Sequence, residues 1–320
     1  MSLPARPRPA WRTVDGIVLL DKPEGLTSNE ALQRVRRLYR ARKAGHTGSL
    51  DPLATGVLPL CFGQATKVAG YLLDADKTYR AVLALGARTS TGDREGEVVE
   101  RVAVPPLDRA TVAAALARFR GASLQVPPMY SALKRGGEAL YALARRGVEV
   151  ERAPRPVRIE SLTLRELGRE QLEFEVTCSK GTYVRTLGED LARALGTVGH
   201  LAALRRTSVG GAFAGMSPHP LRALEALAGN EPALDALLLP VDAALATLPA
   251  VTLGTLQASR FRHGQSVAVA AVPARQIRLY APDGIFLGIG EGDSAGGCVR
   301  PLRLMSDEPG RGAAADIPDS

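Results

Sequence analysis

Residues 45–58, GHTGSLDPLATGVL, set one carboxylate, Asp51, among glycines, hydroxyls and apolar residues. A carboxylate can act as a nucleophile or as a general base. Gly45 and Gly48 let a ligand approach the backbone closely. Pro52 disfavours helical backbone at Asp51, so the acid sits on an extended or turn segment. Upstream lie His46 and a run of six cations without an acid over residues 34–43, RVRRLYRARK, so phosphate affinity is not what Asp51 adds. An Asp-Pro pair taken alone is a turn with a local cap. Taken alone, Arg185 is a solvated helix arginine and Tyr79 a core tyrosine. A buried Asp51 would need an arginine opposite it to stay ionised, because burial raises a carboxyl pKa and a guanidinium lowers it.

The elements that must position these residues follow from periodicity and caps. The apolar run 16–20 reads as a buried strand. Thr27 and Glu30 form a T-x-x-E capping box, and Ala31, Leu32, Val35 and Leu38 follow with helical spacing. That predicts a helix over about 28–42 whose polar face carries most of the first basic block. Lys77–Leu85 reads as a strand on which alternation allows Tyr79 to face inward, and 108–120 as a helix closed by Gly121. Residues 125–156 are irregular and basic, with a short helix near 139–145, and read as an insertion. Residues 172–178 alternate as a half-buried strand, 183–195 form an amphipathic helix and 200–209 another strand. Residues 221–239 contain helical segments broken at Gly229 and Pro232. After Pro249, short apolar runs separated by Gly and Pro predict a small β-barrel of about 55 residues. The first 14 residues and the stretch 307–320 read as disordered.

Length and composition bound the function. The 320 residues fit about two domains on the usual size range. No apolar stretch approaches the roughly 20 residues that span a membrane, and no signal-peptide core follows the basic, Pro-rich N-terminus. This predicts a cytoplasmic protein with no membrane association. Three scattered cysteines and four scattered histidines lack metal-ligand spacing, so no metal is expected. The net charge of +8 favours a polyanionic partner. A second, sparser cluster at Arg145, Arg146, Arg152, Arg155 and Arg158 adds to the block at 34–43. Only six of the 41 basic residues are lysines. Lys22, Lys77, Lys134 and Lys180 all fall inside the motifs described next, which suggests that these sites need an ammonium or its stem.

The string GHTGSLDPLATGVL resembles the signature of the TruB family of tRNA pseudouridine synthases. LLDKPEGLTS at 19–28, DADKTYR at 74–80, CSKGTYVRTL at 178–187 and LRRTSVG at 204–210 resemble further motifs of that family in the expected order, and PPMYSALKRGG in the insertion also fits. The resemblance covers about residues 16–210. It implies an α+β catalytic fold around a mixed, mostly antiparallel sheet, spanning 15–248 with an RNA-gripping insertion at about 125–156. The C-terminal piece, 249–306, fits a PUA-like RNA-binding β-barrel by position and texture.

The resemblance also implies roles. Asp51 is the essential carboxylate, as nucleophile or as base for the C2′ proton, and Arg185 its partner. Tyr79 lies on the face of the target uracil, where its hydroxyl helps remove the C5 proton. Tyr183 and Leu204 line the uracil pocket, Lys22 and Pro23 support the active-site loop, and His46 lies against the T-loop bases. The implied activity is isomerisation of uridine to pseudouridine at position 55 in the T arm of tRNA, after base flipping. Nothing is oxidised or carried away, and no cofactor is expected. The implied partner is tRNA, through the T arm with the acceptor stem left open as a further contact, with no obligate protein partner, and the chain is expected to be a monomer. Two alternatives stay open: a guide-RNA-dependent pseudouridine synthase, and a non-catalytic tRNA-binding chaperone. A phosphate-loop enzyme is disfavoured because the Gly-rich string lacks GKS/T.

Overall fold

The computed structural model describes residues 10–213, 215–269, 274–293 and 297–306. The chain begins with β1 (Gly16–Lys22), α1 (Ser28–Leu38), β2 (Ala44–His46), β3 (Thr55–Phe62), α2 (Ala69–Asp74) and β4 (Lys77–Leu85). A ribbon of β5 (Ala87–Thr89) and β6 (Val98–Arg101) precedes α3 (Arg109–Ala117) and β7 (Gly121–Gln125). The insertion carries β8 (Lys134–Arg135), β9 (Glu138–Ala139) and α4 (Leu140–Arg145). Then come β10 (Arg155–Leu167), β11 (Gln171–Cys178), α5 (Val184–Ala194), β12 (Gly199–Val209), β13 (His219–Pro220), α6 (Leu221–Glu225) and α7 (Glu231–Asp235). The C-terminal part holds β14 (Ala250–Thr252), α8 (Thr255–Arg262), β15 (Val267–Ala268), β16 (Gln276–Tyr280), β17 (Phe286–Gly292) and β18 (Cys298–Leu304).

Nine strands form the main sheet, in the order β13-β1-β3-β12-β4-β11-β10-β7, with β2 paired to β3. Only β1·β13 and β3·β12 are parallel, so the sheet is mixed and mostly antiparallel. The β3·β12 contact depends on Gly56, with φ +103°, because a Cβ there would lie 2.1 Å from the Arg206 carbonyl oxygen. Alternation on β4 buries Lys77, Tyr79, Ala81, Leu83 and Leu85 on one face. Helices α1, α3 and α5 pack on the sheet through Leu32, Val35, Val112, Leu116, Leu187 and Leu191. The Thr27–Glu30 capping box forms in full, with the Thr27 hydroxyl accepting from the Glu30 amide at 3.1 Å and Glu30 accepting from the Thr27 amide at 2.8 Å.

Several sequence expectations need correction. Helix α1 ends at Leu38, four residues early, because Arg40 turns to φ +48°. Residues 12–14 are ordered: Arg12 exchanges backbone hydrogen bonds with Arg40 and Arg42, its guanidinium holds Asp235 at 2.6 and 2.7 Å, and Val14 is buried. Residues 1–9 and 307–320, read as disordered, lie outside the described residues. Gln125 and residues 155–156 belong to the sheet rather than to the insertion, since β7 and β10 pair there. Pro232 sits in the first turn of α7, where its missing N–H is harmless, so it starts that helix. The C-terminal part is a five-stranded sheet, β14-β16-β17-β18-β15, in keeping with the small PUA-like barrel expected, but it also carries a helix, α8, that the reading of short β-like runs did not include. Helix α8 escaped the sequence reading because it buries only Ala258 and Phe261, while its Leu256 is exposed.

The two sheets share a core. Ile289 of β17 is fully buried in a cluster with Ile17, Leu19, Cys61, Val68, Leu72 and Leu245. Polar ties reinforce it: Lys67 Nζ donates to the Leu304 carbonyl at 2.9 Å, Tyr71 pairs with Gln276 at 3.0 Å, and Arg278 Nε donates to the Leu248 carbonyl at 2.9 Å. We expect Ile289→Ala to lower global stability by about 2–5 kcal/mol, the usual cost of a large-to-small change in a packed core. Urea unfolding measures it. A loss of less than about 0.5 kcal/mol would show that the sheets are not energetically joined.

Candidate active site

The loop carrying Asp51 is tied down from behind. The Lys22 amine, at the end of β1 and fully buried, donates to the carbonyls of Pro23 at 2.8 Å, Leu26 at 2.6 Å and Pro52 at 3.4 Å. The Gly25 amide donates to the same Pro52 carbonyl at 2.9 Å. At the start of α1, the buried Ser28 hydroxyl accepts from the Leu50 amide at 2.7 Å and donates to the Leu50 carbonyl at 3.2 Å. The segment before α1 and the Asp51 loop are thus one hydrogen-bonded unit. Burial lowers the Lys22 pKa to about 8, and the Asp51 charge acts against that shift.

Arg185 stands in the first turn of α5, where the helix dipole disfavours a cation. Two carboxylates compensate. Its Nε lies 2.9 Å from Asp51 Oδ2 and its Nη1 3.7 Å from Asp93 Oδ2. Nη1 also donates to the Thr91 carbonyl at 2.9 Å and Nη2 to the Tyr130 carbonyl at 2.7 Å. Arg185 is 5% exposed, and its guanidinium is held from several sides. Burial pushes the Asp51 carboxyl above the ordinary carboxylate range; Arg185 pulls it back, and the Asp93 charge pushes it up again. The Asp51 side chain is 41% exposed because it lines an open pocket, although protein packs densely around it. Water in the pocket therefore softens the burial effect, and the upward direction is what stands.

The pocket holds about 300 Å³ and is lined by Asp51, Tyr79, Tyr183, Arg185, Leu204 and Arg206, among others. Its walls come from adjacent strands. Tyr79 on β4 faces Arg206 on β12 across the ladder, and Ala81 faces Leu204. Tyr183 caps α5, and its backbone is clamped by Gln125 of β7, which accepts from the Tyr183 amide at 2.8 Å and donates to its carbonyl at 3.1 Å. Lys77 supports the floor: its amine donates to the carbonyls of Leu72, Leu73 and Ala75 at 3.1, 2.8 and 2.6 Å, and burial lowers its pKa to about 8.

Sequence comparison adds to this geometry. Residues 36–184 match the TruB family pseudouridylate synthase N-terminal domain, 185–246 the tRNA pseudouridylate synthase B C-terminal domain, and 249–305 the pseudouridine synthase II TruB C-terminal region. The chain is 52% identical over 299 residues to the tRNA pseudouridine synthase B of Nitrosococcus oceani, covering 93% of this chain and 96% of that one. It is 48% identical to the one of Hydrogenovibrio crunogenus, with the same coverage. The chain belongs to the TruB family. A solved H/ACA RNP bound to a substrate RNA containing 2′-deoxyuridine shares the fold, with a TM-score of 0.69 at 20% identity over 94% of this chain and 91% of that chain.

The TruB fold brings five of the seven residues named from sequence to the pocket wall: Asp51, Tyr79, Tyr183, Arg185 and Leu204. Lys22 does not reach it, because its amine is fully engaged by carbonyls behind the loop. His46, on β2, is half-buried outside the pocket lining; burial, and then Arg206, lowers its pKa. Sequence reasoning missed Asp93 and Arg206. Asp93 stands in no motif singled out, and Arg206 is one of two adjacent arginines with nothing in the sequence to tell the buried one.

The basic block at 34–43 is partly internal. Arg36 donates to the carbonyls of Ala41 and Arg42 at 3.0 and 2.9 Å, Arg40 pairs with Glu231, and Arg34 lies 3.9 Å from Glu225.

Removing Arg185 leaves burial and Asp93 to raise the Asp51 pKa further, so Arg185→Met should move the acidic limb of the activity profile to higher pH. Stability follows the same sign. With its folded pKa above the unfolded one, a charged Asp51 costs stability, a cost absent at low pH that grows as pH rises through the folded pKa. The variant should be about 3–5 kcal/mol less stable near neutrality, toward the lower end because Asp51 is partly exposed. That deficit should narrow on acidification; a pH-independent deficit and an unmoved limb would rule out the pairing. The four motif lysines also separate. Lys22→Arg overpacks a filled site and should cost about 1–3 kcal/mol. Lys180→Arg, in an exposed pair with Asp74, should change stability by less than about 0.5 kcal/mol. Equal thermal shifts for the two would contradict this.

Proposed function

We propose that this chain isomerises uridine to pseudouridine at position 55 in the T arm of tRNA, acting in the cytoplasm as a monomer without a guide RNA. The observation that carries the reading is the Arg185 guanidinium held between Asp51 and Asp93 at the wall of a pocket of about 300 Å³ with tyrosine sides. That volume is at the small end of ligand sites and suits one extruded nucleotide. Residues 15–248 form the catalytic domain, with about 126–154 gripping the RNA, and 249–306 a PUA-like RNA-binding domain.

In this reading Asp51 acts on the ribose, as nucleophile at C1′ or as base for the C2′ proton. Arg185 keeps it ionised and aimed. Filling the pocket with a base removes the water that now softens the burial of Asp51, which makes the guanidinium more important in the complex than in the free protein. Tyr79 lies against the uracil and serves the C5 proton, while Tyr183 and Leu204 bound the ring. His46 contacts the T-loop bases as the target is extruded, and Lys22 holds the Asp51 loop in register.

The test is incubation of the purified chain alone with an unmodified tRNA transcript, followed by mapping of pseudouridine. Product at position 55 and nowhere else in the T arm is expected, and none without added RNA or protein components would refute independent action. Asp51→Asn should lose turnover by at least about a hundredfold, as expected for an essential nucleophile or base. Its tRNA affinity should stay within about threefold of wild type, because phosphate contacts and stacking dominate binding. Residual turnover above that level, or a parallel loss of affinity, would remove Asp51 from the chemistry.

A further inference from the structure

We propose that Arg206 is a positioning residue for Tyr79, holding its phenol oxygen at the pocket and supplying the counter-charge to the phenolate that then takes a proton from the substrate. The inference rests on the function proposed above. Arg206 is 1% exposed and is the largest fully buried side chain of the described residues. Its place is set by the sheet: it lies opposite Tyr79 in the antiparallel β4·β12 ladder and opposite Gly56 in the parallel β3·β12 contact. Directly opposed residues on antiparallel strands hold their Cβ atoms about 4.5–5.5 Å apart on one face, so both side chains enter the same pocket. Arg206 Nε donates to the Val57 carbonyl at 2.7 Å and Nη2 to the Gly48 carbonyl at 3.0 Å. Nη1 lies against Gly48, where a Cβ would sit 3.4 Å away, so any side chain at that position would crowd it.

The charge balance points to a role. Arg185 faces two carboxylates, whereas no carboxylate among the described residues pairs with Arg206. A buried guanidinium without an acid is costly, and carbonyl oxygens solvate it without cancelling its charge. The ionisable group that favours its charge is the Tyr79 hydroxyl beside it. The groups facing Tyr79 are Asp51 from the loop before β3, Cys178 from β11 and Arg206 from β12. Asp51 and Cys178 oppose a negative phenol oxygen, burial opposes it most, and Arg206 alone favours it. Lys77, two residues earlier on β4, directs its amine at the carbonyls that end α2 instead.

The step this serves follows joining of C5 to C1′. The C5–H bond breaks and its electron pair closes the C5–C6 double bond. The pair of the N1–C6 double bond moves to N1, which takes a proton from water. The Tyr79 phenolate, having released its own proton to water, receives the C5 proton and returns to the phenol.

The test combines a titration with a double-mutant cycle on the full chain. Isotope-labelled tyrosine followed by NMR reports each phenol, with Tyr79 assigned by its loss in Tyr79→Phe. Tyr39 is the internal reference: it is fully buried, donates to the Leu234 carbonyl at 2.7 Å, and burial pushes its pKa up. Tyr79 is expected to titrate below Tyr39 in the wild-type chain and to move to higher pH in Arg206→Gln. On unmodified tRNA, Arg206→Gln should slow single turnover by at least about tenfold, a part of the roughly hundredfold or more that a positioned base contributes, and introduce an isotope effect with deuterium at uracil C5. In the Tyr79→Phe background the same substitution should cost less than about threefold, because the two residues act as one unit. Losses that multiply in the double variant would overturn the proposal. So would a wild-type Tyr79 titrating with or above Tyr39, which decides the matter even where Arg206→Gln fails to fold. A wild-type chain that forms no pseudouridine would sink the proton-transfer role together with the proposed function, while the titration would still report separately on the Arg206–Tyr79 contact.

Discussion

A charge withdrawn from water must be met inside the protein, and the pocket end of the main sheet withdraws four cations: Lys22, Lys77, Arg185 and Arg206. Arg185 is met by carboxylates. Lys22 and Lys77 are each met by three backbone carbonyls, and Arg206 by two. Carbonyls can do this only if the chain bends them toward one point. The irregular backbone around the pocket is therefore dictated by the cations it surrounds, and loosening any of these loops would strand a buried charge.

The same requirement links elements distant in sequence. Lys77 satisfies carbonyls at the end of α2, which lack intrahelical partners and carry the negative end of the helix dipole. Lys22 joins the segment after β1 to the Asp51–Pro52 turn, and Ser28 repeats that join from the start of α1. Arg185 reaches the Tyr130 carbonyl, so the insertion is anchored to the guanidinium that holds Asp51. Gln125, at the end of β7 where the insertion leaves the sheet, clamps Tyr183. An insertion tied beside the carboxylate can pass movement at its tip to the pocket wall, whereas the Asp51 loop itself is held from both sides and stays preorganised.

What the sequence disclosed has a physical boundary. Local signals survived: the Thr27–Glu30 box starts α1, alternation marks β4 and β11, and the spacing of Val184, Leu187 and Leu191 marks α5. Asp51, Tyr79 and Arg185, singled out through the motifs, line one pocket. Partners that arrive from far along the chain left no local signal. The cations at 34–43 looked free for phosphates, yet Arg40 meets Glu231, 191 residues away; outside that block, Arg12 meets Asp235 at a separation of 223. Arg205 and Arg206 are neighbours of the same type, but strand alternation sends Arg205 outward to Asp21 and Arg206 into the pocket. Alternation is readable; which face is the inside is decided by the rest of the sheet.

These fates redistribute the positive charge that composition reports as a single number. Toward the surface, many arginines are offset: Arg12, Arg34 and Arg40 by acids of the α6–α7 region, and Arg275 and Arg300 both by Glu291. At the pocket, three buried cations, Lys77, Arg185 and Arg206, stand against Asp51 and its neighbour Asp93, an excess of one. A charge excess in a low-dielectric site acts more strongly than the same excess on an exposed face, where water and salt screen it. The field is therefore concentrated where a ligand enters rather than spread over α1. On the proposed reaction, breaking the N1–C1′ bond leaves negative charge on the departing uracil. Cations fixed by backbone carbonyls, and so not neutralised by acids, remain available to stabilise that charge without rearranging, which is the condition for electrostatic preorganisation to lower a barrier.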